Sequence, residues 1–147
     1  MGLKNYQILL QMAVCDMARC PGTFRERFLL AWVNYIYKFN WVELEAMLMP
    51  EDLPVFQEFK KRMVDDLHAA IDAKRKLLHE QFKDGPSSLS DEQIAKYANA
   101  ETAIRAMSGQ RAKRSVDAIV EMYAAVVATV DYVAVFPVQG ANGGEAR

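Results

Sequence analysis

A chain of 147 residues that is 52% hydrophobic and 25% charged is long enough to bury a core without staples, and too apolar to be a disordered segment. With 18 basic and 19 acidic residues the net charge is -1, which excludes a whole-molecule field drawing the chain to nucleic acid or to an anionic membrane; any such binding is local. Cys15 and Cys20, five apart on an expected helix, fall on different faces, so no disulfide framework is expected and a cytoplasmic, reducing setting fits.

Every long segment reads at the helical period and none shows sustained alternation, so the chain is expected to be all-α. The opening run has one early lysine, is interrupted by Gln11 and Asp16, and lacks a small-residue cleavage site, which argues against a signal peptide. A myristoylation signal needs Ser or Thr at position 6, where Tyr6 stands. The first helix is expected from about Leu3 to Arg19, where Pro21 and Gly22 in "CPG" punctuate it. "TFRE" is a capping box in which Thr23 accepts from the Glu26 amide and Glu26 reaches back. It opens a second helix whose Phe24, Phe28, Ala31, Trp32, Tyr35, Ile36 and Phe39 follow the helical repeat.

Asn40 in "NWVE" is another cap signal, so a turn into a short helix ending near Met49 and Pro50 is expected. From about Leu53 or Pro54 to Phe82 comes the longest helix, with Phe56, Phe59, Met63, Leu67, Ala70, Ile71, Leu78 and Phe82 on one side. "KDGPSSLS" reads as a loop. Ser90 in "SDEQ" caps a helix expected to run unbroken to at least Met107, with a candidate break at "SGQ", and the apolar C-terminal helix follows from about Ser115 to Val135. Asp117, Glu121 and Asp131 in that last run would be costly in lipid, so it reads as a buried helix, with no membrane as partner. The expected fold is a five- to six-helix bundle, mostly antiparallel, with one long central helix and a buried apolar C-terminal helix. It forms one domain over residues 1–136, followed by a flexible tail at 137–147.

Catalytic chemistry finds few residues. Asp65, His68, Asp72 and His79 line one side of the long helix, but a dinuclear bundle centre draws Glu-x-x-His pairs from several helices, and the chain has no such pair. The stripe reads as a solvated flank with Asp72 and Lys76 paired one turn apart, and no metal or other cofactor is expected. A phosphate-cradling glycine loop, a CxxC pair and a nucleophile elbow are all absent, so a non-enzymatic protein is expected.

Nucleic-acid binding has two faint signals. The basic clusters are Lys74, Arg75 and Lys76, and Arg111, Lys113 and Arg114; short runs of this kind on helices are usually solvated faces. "IAKYANAETAIRAMSG", Ile94 to Gly109, has a helix-turn-helix flavour, but its spacing is one residue short and "NAETAIRAM" is good helix-forming sequence, so a continuous helix is expected.

The surplus apolar surface is more informative. On the second helix Leu30, Val33 and Tyr37 form a second stripe opposite the main one; on the first, Ile8, Met12 and Cys15 oppose Leu3, Tyr6, Leu9, Leu10, Ala13 and Met17. Such two-sided helices are either sandwiched inside a layered bundle or covered by another chain. The second reading predicts a small regulator, adaptor or inhibitor, of the bacterial or phage accessory type, that acts on a protein partner or as a homodimer. Its contact residues are Ile8, Met12, Leu30, Val33 and Tyr37, with Trp41 as an exposed anchor at the helix junction. The alternative is a nucleic-acid-binding regulator using the two basic clusters.

Overall fold

The computed structural model describes residues 1–82 and 90–135; the expected loop at 83–89, the tail at 137–147 and the side chain of Phe82 lie outside the described residues. In chain order the elements are α1 (Leu3–Arg19), α2 (Phe24–Asn34), a 3-10 turn (Ile36–Lys38), α3 (Trp41–Met47), α4 (Leu53–Phe59), a π-helical segment (Lys60–Asp65), α5 (Asp66–Phe82), α6 (Asp91–Tyr97), α7 (Ala100–Ala106) and α8 (Gly109–Val135). The chain is an all-α, mostly antiparallel bundle in which α4, the π segment and α5 run on as one long central helix, closed by an apolar C-terminal helix.

Local sequence accounts for the helix boundaries. The Cys20 amide closes α1 on the Asp16 and Met17 carbonyls, and Pro21 follows. Thr23 and Glu26 form the expected capping box. A Cβ on Gly22 would clash with the folded-back Glu26 carboxylate, so a side chain there would displace the capping residue. Asn40 accepts from the Glu43 amide to start α3, and Ser90 and Gln93 cap α6 reciprocally.

The core sits where α8 packs on α1, α2 and α4, with α1 also against α2. Tyr6, Leu10, Phe28, Phe56, Phe59, Ile119, Met122 and Val126 are all fully buried there. Apolar burial of this kind contributes about 25 cal/mol per Å2 and holds the bundle together. Beyond the π segment, Leu67 of α5 still joins this core and Ile71 packs against it, and α5 also packs on α6 and α7. There a small second cluster forms from Leu78, Ile94 and Ala98, with Ile71 against it.

Four expectations are corrected. The helix from Ser90 is not continuous. Asn99 breaks it by accepting from the Thr102 amide at 2.9 Å to start α7, while its side-chain amide donates to the Ala95 and Lys96 carbonyls at 3.0 Å to finish α6. The C-terminal helix starts at Gly109 and not near Ser115, because the Ser108 hydroxyl accepts from the Arg111 amide at 3.1 Å and caps it. The long helix is not uniformly α. In its π segment adjacent residues lie at a smaller angle to one another, and Met63 and Val64 are both buried. Finally, α8 is buried on one side only: Ala112, Ser115, Val116, Ile119, Met122, Ala125, Val126 and Thr129 face the core, while Val120 is exposed on the other side. Among the described residues α8 is the one helix long and apolar enough to cross a membrane, and its packing partners are α1, α2 and α4.

Candidate interaction surfaces

On α1 the core stripe is Tyr6, Leu10, Ala13 and Met17. Ile8 and Met12, on the opposite side of the helix, are 50% and 47% exposed, while Cys15 is half-buried. On α2 the buried residues are Phe28, Leu29, Ala31 and Trp32, which leaves Val33 44% exposed and Leu30 half-buried. The helix ends when the Asn34 side-chain amide donates to the Leu30 carbonyl and the chain tightens into the 3-10 turn. That change of period buries Tyr35 and Ile36 together and sends Tyr37 outward at 58% exposure, with the Lys38 ammonium 5.8 Å from its ring centre. Val42 on α3 is the most exposed large apolar side chain among the described residues, at 75%, and sequence reasoning missed it. Its signal was present, since it falls out of phase with Trp41, Leu44 and Leu48.

Trp41, expected as an exposed anchor, is half-buried. Its ring lies 5.4 Å from that of Phe39 and 5.7 Å from that of Phe59, so it continues an aromatic row that begins with Tyr6 and Phe39 at 5.2 Å. Two tyrosine hydroxyls tie α1 to α3 and to the end of α2. Tyr6 donates to Glu43 at 2.8 Å, and burial followed by this bond pushes the Tyr6 phenol up. The same bond, followed by one from the Met1 amine, holds the Glu43 carboxyl below its ordinary value. Tyr35 donates to Asp16, and that hydrogen bond raises its phenol.

The basic clusters meet at only one residue each. Lys74 on α5 and Arg111 on α8 line the same groove. Arg111 pairs with Asp66 at 3.3 Å and donates to the Arg62 carbonyl at 2.9 Å, which clamps the π segment to the start of α8. Arg75 pairs with Asp72 at 3.7 Å, in place of the Asp72 to Lys76 pair expected from the sequence. Lys113 pairs with Asp117 at 3.1 Å and lies 6.0 Å from the Phe24 ring centre. Arg114 faces a separate depression beside Glu58, Asp117 and Glu121, and Lys76 is exposed on α5.

The acidic and histidine stripe on α5 does not converge. His79 stands 3.7 Å from Asp91 of α6, and among the described residues no three His, Cys, Asp or Glu side chains are grouped to hold a metal ion. Cys15 and Cys20 are free thiols, both half-buried. The groove that contains Lys74 and Arg111 has a volume of about 620 Å3 and lies between α5 and the α6 to α8 side. Leu67, Ile71, Leu78, Ala98, Ala103 and Met107 make its apolar lining. Sequence reasoning missed this groove, because it follows from the split at Asn99 and the packing of α5 on α6 and α7. No protein-family model, curated protein or solved structure matches the chain.

Proposed function

We propose that the protein acts without catalysis, through protein-protein contact, as a small cytoplasmic regulator, adaptor or inhibitor that engages a partner protein or a second copy of itself. One observation carries this reading: Ile8, Met12, Val33 and Tyr37 are all about half exposed on helices whose opposite sides already fill the core. Leu30, half-buried on α2, extends the Val33 and Tyr37 stripe, and Trp41, held in the aromatic row between Phe39 and Phe59, is not its anchor. Large apolar and aromatic side chains without an internal role are what a partner helix seats against.

The nucleic-acid alternative draws less support. Arg75, Arg111 and Lys113 are each matched by a carboxylate, and the six basic residues are divided among different surfaces of α5 and α8. The mass in solution, measured by light scattering alongside the variants Val33→Asp and Tyr37→Asp, tests the proposal. Twice the chain mass of 16.7 kDa for the parent, reverting to the monomer in both variants with helicity intact, is the result expected of a homodimer. For a monomeric parent, the same variants are expected to abolish retention of the cognate partner. Global unfolding of both variants would show the stripe to be core and end the proposal.

A further inference from the structure

The groove beside α5 stands apart from the α1 and α2 surfaces, and its size falls within the range of small-molecule sites. Two cations, Lys74 and Arg111, and one anion, Asp66, line it, so its wall is net positive although the whole chain carries -1. Arg111 is engaged by Asp66, whereas Lys74 makes no ion pair among the described residues. Of the neutral polar residues on the wall, Asn99 and Thr102 are occupied in holding the junction between α6 and α7, and Tyr97 is exposed at its edge. Among the described residues, what remains to recognise a ligand is therefore an apolar floor, the Lys74 ammonium and the Tyr97 hydroxyl.

We propose that this groove binds an amphipathic carboxylate, with its apolar chain on Leu67, Ile71, Ala103 and Met107 and its head group at Lys74. Both halves of the pairing are physical. The chain removes apolar surface from water on both sides, and the carboxylate keeps its charge beside an ammonium that has no ion-pair partner among the described residues. A cationic amphiphile of equal length meets a wall of its own sign and is rejected. The ligand also adds apolar burial at this end of the molecule, where among the described residues the second cluster holds Leu78, Ile94 and Ala98 with Ile71 beside them, while Leu67 and Ile104 belong to the main core. Binding therefore raises the melting temperature through mass action on the folded state.

The test is calorimetric titration and thermal denaturation of the full chain with dodecanoate, kept below its micelle concentration, and with dodecyltrimethylammonium as the charge-reversed control. One dodecanoate per chain, a raised melting temperature and no binding of the cation are expected. Lys74→Glu, an exposed substitution, is expected to weaken dodecanoate binding by about tenfold or more, the loss of one charge-assisted contact. Ala70→Trp fills the groove from an exposed helical position and is expected to abolish binding, while Ile8→Asp leaves it unchanged. Failure of dodecanoate to bind, equal binding of the cation, or parental affinity in Lys74→Glu would each overturn the proposal. If Ala70→Trp loses helicity by circular dichroism, Lys74→Glu decides alone.

Discussion

Asn99 joins two helices through one side chain, and replacing it with alanine removes three hydrogen bonds at once. Its carbonyl oxygen caps α7 by accepting from Thr102, and its amide group finishes α6 by donating to Ala95 and Lys96. Loss of an N-cap costs about 1 kcal/mol. The two donor contacts lie at exposed positions and contribute about 0.5 kcal/mol each, the lower end for a net hydrogen bond. Asn99→Ala should therefore destabilise the protein by about 2 kcal/mol, against about 1 kcal/mol for Ser90→Ala, which removes only a cap. Asn99→Asp separates the two functions, because it keeps the acceptor for Thr102 and places a carboxylate against the α6 carbonyls. It should fall between the parent and Asn99→Ala. Urea unfolding followed by far-ultraviolet circular dichroism gives the free energies, with an unchanged m value as the check that compactness is preserved. A loss below about 0.5 kcal/mol for Asn99→Ala, or an Asn99→Asp variant as stable as the parent, would refute the view that this side chain holds the junction.

Core and surface apolar residues on α2 should part sharply in the same assay. Phe28→Ala, at a fully buried position, is expected to cost about 3 to 5 kcal/mol, whereas Val33→Ala should stay within about 0.5 kcal/mol. Comparable losses would place Val33 in the core. Acid unfolding should depend on Tyr6. The folded-state carboxyl of Glu43 lies below its ordinary 4.5, so its contribution is present above that value and is lost as pH falls through the lowered one. Tyr6→Phe removes the first cause of that shift and should flatten the acid limb of a stability profile below pH 4.5, and an unchanged limb would contradict the assignment.

The fold class, the start of α2, the cap of α3 and the cap of α6 were all legible in the chain, because hydrophobic period and capping chemistry act within a few residues of one another. So was the two-sidedness of α1 and α2, which a helical projection alone reveals. The break at "SGQ" was legible as a candidate, and the break at Asn99 was written in the sequence too, as a residue that favours caps, but good helix formers on either side hid it. There local propensity was outweighed by side-chain hydrogen bonds to the backbone and by burial of Ile94, Ala98 and Ile104.

What the sequence by itself determined is which side of each helix is apolar, since that depends only on the period of the chain. Which apolar side is covered depends on the other helices, and only the tertiary structure decided it. Trp41 turned inward because Phe39 and Phe59 stand on either side of it, while Tyr37, four residues before, turned outward because a 3-10 turn shifted its phase. Lys74 and Arg111, 37 positions apart, came to share a groove only because α5 packs on α7 and α7 leads into the start of α8 beside it. Pairings over such distances follow from packing the whole chain, and no local pattern encodes them.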